Sequence, residues 1–352
     1  NAAGTWGSTD HYTINIDDAT PAAPGSITAK TDSGGSVITA STWQIDDDPY
    51  FSWTAPSSDS GIAEYKYRMD NSTINDANGT STGLTTNVTL AADSLSNGTH
   101  TFYVAAKNNA GTWGSVGSFV IWVDAATPLA PVISSATHAN EASWYVSNDP
   151  DFSWTAPSSA SGIDGYSYVL DQVSNTTPDT VSEGTQTSKT DYLDYANGTW
   201  YFHVRARNAA GTWGSTDHYT INIDDATPLA PDSIAAKTDS GGSTITASTW
   251  QIDNDPYFSW SAPTPAPTSG IAEYKYRMDN STINDANGTS TGLTTNVTLA
   301  NDSLSDGTHI FYVAAKNNAG TWGTVGSFVI WVDAATPLAP VISSATHANE
   351  AS

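Results

Sequence analysis

Short runs in which apolar and polar residues alternate recur along the chain. In the run Ile62–Met69, Tyr65 and Tyr67 fall on one face, and Lys66 and Arg68 fall on the other. A period of two residues is typical of a half-buried β-strand, and no stretch shows the period of a helix. Gly, Asn, Ser and Pro separate the runs. The pattern therefore predicts an all-β chain of antiparallel strands packed as β-sandwiches.

The same strand pattern returns at intervals along the chain. The stretch Asn1–Pro21 recurs letter for letter as Asn208–Pro228, and the interval between these copies is the period of the repeat. A weaker repeat, with about half that period, relates Trp53 to Trp154. Self-similarity of this kind marks an array of similar domains. Two domain types therefore alternate, and we name them type A and type B.

The repeat divides the 352 residues into three complete domains with a partial domain at each end. The complete domains are predicted at 21–126 (type A), 127–226 (type B) and 227–335 (type A). Residues 1–20 would supply only a last strand, and 336–352 only the first strand of a type-B domain. We interpret both ends as cuts through domains, and we expect the sequence to be a segment of a longer chain.

Each domain ends in an acidic residue that is followed by a short link containing two prolines. The link from Asp124 to Pro131 reads Asp-Ala-Ala-Thr-Pro-Leu-Ala-Pro. Prolines favour extended polyproline geometry and restrict bending. Sandwiches joined in this way are expected to form an elongated, semi-rigid rod.

Three motifs of the type-A domain resemble the fibronectin type III pattern. They are Ser52–Pro56 with its Trp, Gly61–Tyr67 with its Tyr-Lys-Tyr, and the strand from Gly98 to the turn Asn108–Gly111. The resemblance extends to all domains and implies that the Trp lies in strand B and the Tyr residues in strand C. The links and the near-identical copies resemble tandem Ig-like and fibronectin type III repeats of large bacterial or archaeal cell-surface proteins. One departure is the additional segment Ser41–Asp48 before strand B.

Composition narrows the classes of partner. The net charge of −25 and the pI near 4.1 argue against nucleic acid and anionic membrane as partners, because both need a basic face. The absence of Cys excludes disulfides and thiolate metal sites. No apolar run approaches the length of a membrane span. No catalytic motif occurs, so no catalytic residue, no organic cofactor and no enzyme activity are predicted.

Acidic residues gather at the domain ends and in the loop before strand B. Carboxylates that converge there would suit Ca²⁺, which takes hard oxygen ligands. The alternative is that they are solvated loop acids, which keep the surface soluble. The candidate calcium ligands at the domain junctions are Asp17, Asp18, Asp46, Asp48, Asp124, Asp224, Asp225, Asp253, Asp255 and Asp333.

Most basic residues face outward on the predicted strands C and F, beside outward-facing aromatic residues. This face is a candidate lateral surface that contacts an acidic neighbour or a glycan. The alternative is an internal cation–π ladder, in which Arg68 or Lys66 lies over Trp122. The candidate surface residues are Lys66, Arg68, Tyr103, Trp122, Lys275, Arg277, Tyr312 and Trp331.

Asn-x-Ser/Thr sequons cluster between strands C and F of the type-A domains. Many sequons arise by chance in a chain rich in Asn, Ser and Thr, and modification requires export by an N-glycosylating host. N-linked glycans there would shield a sheet edge. The candidate asparagines are Asn71, Asn78, Asn87, Asn97, Asn175, Asn197, Asn280, Asn287, Asn296 and Asn301.

These features favour a structural protein over a ligand-binding one. We expect a repeat segment of a long extracellular or cell-surface fibre, stalk or filament. Its expected partners are further repeats of the same chain, joined head to tail or laterally. The alternative is an adhesin, or a set of carbohydrate-binding accessory repeats, that recognises glycans or cell-surface ligands through the face formed by strands C, F and G.

Overall fold

The structure is a computed structural model, and it describes residues 2–343. All regular secondary structure in this part is β-strand. The strands form three successive groups, and each group lies within one of the ranges 21–126, 127–226 and 227–335.

The first group is a type-A sandwich. Its strands are β1 (Gly25–Lys30), β2 (Val37–Ile38), β3 (Trp43–Gln44), β4 (Tyr50–Thr54), β5 (Ile62–Met69), β6 (Thr80–Gly83), β7 (Asn87–Thr89), β8 (Gly98–Asn108) and β9 (Gly117–Val123). One sheet has the order β2-β1-β4-β7 and the other has the order β3-β9-β8-β5-β6.

The second group is the type-B sandwich. Its strands are β10 (Val132–Ser134), β11 (Trp144–Tyr145), β12 (Phe152–Thr155), β13 (Ile163–Asp171), β14 (Ser188–Lys189), β15 (Gly198–Asn208) and β16 (Trp213–Ile223). Its sheets have the orders β10-β12-β14 and β11-β16-β15-β13.

The third group repeats the type-A arrangement. Its strands are β17 (Asp232–Lys237), β18 (Thr244–Ile245), β19 (Trp250–Gln251), β20 (Tyr257–Ser261), β21 (Ile271–Met278), β22 (Thr289–Gly292), β23 (Asn296–Thr298), β24 (Gly307–Asn317) and β25 (Gly326–Val332). The sheet orders are β18-β17-β20-β23 and β19-β25-β24-β21-β22. The predicted fold class, tandem antiparallel β-sandwiches, is confirmed.

The additional segment before strand B forms an edge strand. Trp43 of β3 pairs with Trp122 of β9, and this pairing is parallel, whereas the other pairings of the first domain are antiparallel. The type-B domain uses Trp144 in the same way, opposite Asn222 of β16. Each sheet that ends in the last strand of its domain is therefore extended by a short parallel strand.

Alternation of side chains produces the core between the two sheets. Phe51 and Phe102 are fully buried and stack at 4.1 Å between ring centroids. The same stack, also at 4.1 Å, joins Phe152 to Phe202. Trp53 is 4% exposed and packs beside the first pair. Such aromatic pairs add roughly 0.5–1.5 kcal/mol beyond the burial of their area, so each sandwich has an independent apolar centre.

The predicted strand within residues 1–20 does not form. Ile14 and Ile16 are 68% and 78% exposed, whereas their copies Ile221 and Ile223 in β16 are buried. The sequence is the same, but residues 2–20 have no neighbouring strand to complete their backbone hydrogen bonds. At the other end, residues 336–343 contain no strand for the same reason, and the rest of the predicted strand lies outside the described residues.

Candidate functional site

Each domain holds the acidic residue that ends the preceding domain. Asp124 directly follows β9 and is fully buried. Its Oδ2 accepts hydrogen bonds from Ser159 Oγ (2.5 Å), Ser161 Oγ (2.6 Å), Ser161 N (2.9 Å) and Asn208 Nδ2 (3.2 Å). The serines lie in the loop between β12 and β13, and Asn208 ends β15. Hydrogen bonds to a carboxylate are stronger than those between neutral groups, so this contact ties two loops of one domain to the end of the other.

The same contact occurs at the other two junctions. Asp17 and Asp224 each accept hydrogen bonds through Oδ2 from the domain that follows. The donors are Ser58, Ser60 and Asn108 on Asp17, and Ser269 and Asn317 on Asp224. The junction geometry is therefore a repeated property of the chain.

The third junction has one donor fewer, because its loop differs in sequence. Gly270 N donates to Pro267 O at 3.0 Å, which places Pro267 where the other type-A domain has Ser58. Proline has no hydroxyl group, so only Ser269 and Asn317 reach Asp224. The loop 264–270 is longer than the loop 57–61, and this insertion accounts for the difference.

The proline link packs against the domain that follows it. Ser215 N donates to Pro128 O at 3.3 Å, and Asn208 Nδ2 donates to Ala126 O at 3.2 Å. A side chain at Gly214 could not fit, since a Cβ atom there would lie 2.5 Å from Pro128 O. Gly323 has the same relation to Pro228, at 2.6 Å. The last Gly of the Gly-Thr-Trp-Gly motif is thus required by the close approach of the link.

The donors at two of the junctions hold Asp17 and Asp124 in the ionised form. Hydrogen bonds from Ser60 and Ser58 lower the pKa of Asp17 to about 2. Burial alone would raise the pKa of Asp124, but the hydrogen bonds from Ser159 and Ser161 outweigh it, and the pKa is lowered. The contacts of Asp17 and Asp124 are therefore ionic at neutral pH.

The serines of the junctions are absent from the sequence-based candidates. Ser is common in this chain, so single serines gave no signal. A signal existed in their position, because Ser-Gly recurs at 60–61, 161–162 and 269–270, always just before strand C. Asn108 reaches Asp17, whereas its neighbour Asn109 donates to Ser60 O within its own domain at 2.6 Å.

The candidate calcium ligands fall into separate groups. Asp17, Asp124 and Asp224 bind the serine and asparagine donors, although Asp124 Oδ1 and Asp224 Oδ1 are buried without a hydrogen-bond partner among the described residues. Asp225 Oδ2 accepts from Asn148 Nδ2 at 3.1 Å. Asp18 and Asp333 are exposed. The ten residues therefore do not form one kind of site.

The carboxylates of Asp46, Asp47 and Asp48 lie together, with oxygen atoms within 4.8 Å of one another. Burial, together with the neighbouring Asp48, raises the pKa of Asp46 to about 6. Asp46 Oδ2 has no hydrogen-bond partner in the described part. In the third domain Asn254 replaces the middle acid, between Asp253 and Asp255. Calcium binding stays a prediction for these loops.

The cation–π ladder exists, but it is built on a different tryptophan. Lys66 and Lys107 lie over the ring of Trp113, at 5.5 and 5.8 Å from its centroid. The expectation that Lys66 or Arg68 lies over Trp122 is wrong. Lys66 pairs with Ala105 of β8, and Trp122 pairs with Thr99. These positions on β8 are about 20 Å apart along the strand.

The basic residues of this face hold a loop of their own domain. Lys66 Nζ donates to the backbone oxygens of Asn75 (3.1 Å) and Asp76 (2.9 Å), and Arg68 donates to Thr73 O (3.1 Å). Asp76 Oδ1 accepts from Lys107 Nζ at 2.6 Å and from Trp113 Nε1 at 3.0 Å. The third domain repeats these contacts with Lys275, Arg277, Asp285, Lys316 and Trp322.

The aromatic candidates lie on the other half of that face. Trp122 contacts Trp43 with ring centroids 5.5 Å apart, and Trp331 contacts Trp250 at 5.6 Å. Trp250 is 60% exposed. Tyr103 and Tyr312 are half-buried. The predicted surface therefore divides into an internally bonded basic half and a half that carries a Trp pair.

The sequon asparagines differ in exposure. Exposed are Asn71, Asn97, Asn175, Asn280 and Asn301, and half-buried are Asn78, Asn87, Asn197, Asn287 and Asn296. Asn97 Oδ1 accepts a hydrogen bond from Ala125 N, and Asp306 does the same for Ala334 N in the third domain. A side-chain oxygen at this place thus has a structural role with or without a sequon.

Comparisons with known proteins give structural likeness only. No protein-family model matches the chain, and no curated protein matches it. Among solved structures, the FN1–FN3 domains of chicken CNTN1 match 89% of this chain and 99% of their own, at 14% identity and a TM-score of 0.27. The fibronectin(III)-like modules of Clostridium thermocellum CbhA match 56% and 94%, also at 14% and 0.27. These structural neighbours are fibronectin type III modules, while the fold assignment rests on the strand order of the sheets.

Residues 2–343 contain no helix of the length and apolarity that crossing a bilayer requires.

Removing one junction carboxylate should weaken the chain locally. Asp124→Ala leaves the donors of Ser159, Ser161 and Asn208 without their acceptor. We expect the free energy of unfolding to fall by about 1–3 kcal/mol, seen by calorimetry as a lower melting temperature of the type-B domain. Asp333→Ala is the matched control, because Asp333 holds the same position after β25 and is exposed. Equal melting curves for the two variants would contradict the assignment.

The junctions should weaken in acid. Because the folded-state pKa values of Asp17 and Asp124 are lowered, the folded state binds fewer protons than the unfolded state. Their contribution is full above about pH 4 and is lost as pH falls through the lowered folded-state pKa values, that of Asp17 being about 2. Asp124→Asn should remove part of this pH dependence, which melting temperatures between pH 7 and pH 2.5 measure. The idea fails if wild type and Asp124→Asn show the same acid slope.

The ionised form of Asp46 should destabilise its domain. Its raised pKa means that the folded state binds more protons, so the penalty grows as pH rises from about 4 to about 6. In the presence of a chelator, Asp46→Asn should raise the melting temperature at pH 7 by a few degrees and leave it unchanged at pH 4.

Added calcium tests the metal prediction with the same proteins. It should raise the melting temperature of the first domain in the wild type but not in Asp46→Asn. Asp59→Asn, at an exposed loop position, is the control for the loss of one charge. Identical wild-type curves with calcium and with chelator would remove calcium from these loops.

Proposed function

We propose that this chain is a structural repeat segment of a long extracellular or cell-surface fibre, stalk or filament. The observation that carries the proposal is the contact that recurs at the junctions, with Asp17, Asp124 and Asp224 each held by the following domain. A junction that repeats in this way would place every domain against its predecessor by the same contacts. Such an arrangement suits a regular, extended array.

The link supports stiffness as well as regularity. Pro128 is buried, and its carbonyl oxygen is bound by Ser215 N. A link that packs on the next domain has less freedom than a solvated one, because bending would break its contacts together with those of Asp124. We therefore infer that domain motion about the junction is small.

Composition supports a place outside the cell. The strong negative charge favours solubility and opposes non-specific association. The sequons would allow N-linked glycans in a host that makes them, with exposed Asn71, Asn175 and Asn280 as the first candidates. Self-association would join further repeats of the chain, head to tail or side by side.

Electron microscopy of the chain tests the proposal. We expect extended particles in which three domains keep a nearly constant angle to one another. The double variant Asp124→Ala and Gly214→Ala should show a broad distribution of angles at the junction between the first two domains only. Compact wild-type particles, or wild-type angles as broad as those of the variant, would refute the structural function.

Glycan binding is the second candidate, and the Trp pairs favour it. Trp43 with Trp122, and Trp250 with Trp331, place aromatic faces on an accessible edge of the type-A domains. Sugar rings stack on such faces. Binding on a glycan array should disappear in Trp122→Ala plus Trp331→Ala and persist in the control Leu84→Ala, whose side chain is 66% exposed. An array without any wild-type binding would exclude this candidate for the glycans tested.

A further inference from the structure

The type-B domain has a pair of facing imidazoles that the type-A domains lack. His203 of β15 lies directly opposite His218 of β16, and their Nδ1 atoms are 2.6 Å apart. The matching pair in the first domain is Tyr103 opposite Ser118. The pair is therefore a specific feature of type B and not part of the shared scaffold.

The partners of His203 determine which nitrogen carries its proton. His203 Nε2 lies 3.3 Å from Asp171 Oδ1, and a carboxylate there accepts the Nε2 proton. Nδ1 of His203 is then unprotonated, and its lone pair accepts a hydrogen bond from the Nδ1–H of His218. His203 is fully buried, and this burial lowers its pKa, which favours the neutral ring. Asp171 is itself fixed by Val173 N and Thr176 Oγ1.

This arrangement is that of a metal ligand with its supporting carboxylate. A histidine that binds a metal through one nitrogen usually donates its other N–H to a carboxylate or carbonyl, which fixes the ring. Asp171 accepts the Nε2–H of His203 and so fixes the orientation of this ring. His218 is exposed and supplies the second nitrogen from the neighbouring strand. We propose that His203 and His218 bind one divalent transition-metal ion of the zinc or copper class through their Nδ1 atoms.

The geometry needs only a small adjustment. Zinc–imidazole bonds of about 2.0–2.1 Å place two nitrogens of a tetrahedral site roughly 3.3 Å apart. The present separation is 2.6 Å, so the rings must move apart by less than about 1 Å. His218 can make this movement because it is exposed, whereas His203 stays on Asp171. Water would complete the coordination from the side of His218.

The surrounding charges favour a cation. The Asp171 carboxylate is beside the pair, and the aromatic ring of Tyr201 lies 6.4 Å from the ring of His203. Arg205, two residues along β15, is directed over Trp213, with its guanidinium carbon 4.9 Å from the ring centroid. Asp217 uses its carboxylate for Ile133 N. The only carboxylate that these contacts place at the pair is that of Asp171.

Other histidines in residues 2–343 do not offer such a pair. His100 uses both ring nitrogens, on Asp70 and on Ser96 O. His309 repeats this with Asp279 and Ser305 O, and buried His138 contacts Thr137 and Ser147 O. His11 is exposed in the segment before the first domain. Within the described residues, His203 and His218 are the one place where two imidazole nitrogens face each other.

Calorimetric titration of the full chain with ZnCl₂ tests the site. We expect one Zn²⁺ per chain at pH 7.5, and an affinity that falls below pH 6 as protons compete for the imidazoles. His203→Tyr plus His218→Ser installs the residues that the type-A domains have in the same strands, so this variant should fold and lose the site. Asp171→Asn should weaken binding by about 10–100-fold.

Two further measurements distinguish metal binding at this histidine pair from binding elsewhere on the chain. His11→Ser, which removes an exposed histidine outside the pair, should bind zinc as the wild type does. With Cu²⁺ in place of zinc, electron paramagnetic resonance should show nitrogen ligands that disappear in the double variant. Zinc binding unchanged in a double variant whose circular dichroism matches the wild type would overturn the proposal. So would a wild-type chain that binds neither metal.

Discussion

A buried carboxylate between two domains is the constraint on which the chain depends. Moving a carboxylate out of water costs several kcal/mol unless donors replace the solvent. At Asp124 the donors come from Ser159, Ser161 and Asn208 of the next domain. The end of one domain is therefore satisfied only when the loops of its neighbour are in place. This contact links the end of one domain to the loops of the next, although each domain has its own apolar core.

Three residues of the motif Asn-x-Ala-Gly-Thr-Trp-Gly have identified roles at this junction. Asn208 binds Asp124 through Nδ2 and receives Thr212 N on Oδ1, so one amide closes the turn and holds the neighbour. Gly211 adopts a φ of +94°, which few other residues tolerate. Gly214 leaves room for the carbonyl of Pro128. The motif repeats because it is the surface on which the preceding link docks.

The sequence was sufficient to predict the fold class. The side-chain contacts between strands depend on the register of the strands. Alternation placed Tyr65 on the inner face of its strand, where it is buried, because a period of two is a local property. Which tryptophan receives Lys66 depends on the alignment of β5, β8 and β9, and periodicity leaves that open. The strand predicted before residue 20 failed for a related reason, since a strand requires a partner. The role of the junction serines could not be predicted from one domain alone, because their acceptor belongs to the preceding domain.

Two domain types with one kind of junction separate stability from surface chemistry. Asp17, Asp124 and Asp224 make the same kind of contact, each at its own junction. The outer face of the sheet that contains the last strand differs between the two domain types. It bears the Trp43 and Trp122 pair in type A, and the His203 and His218 pair in type B. The side chains opposite each other on this face differ between the two types, Tyr103 with Ser118 against His203 with His218, whereas the junction contacts recur. An alternating array would then present two chemistries at regular intervals along one scaffold.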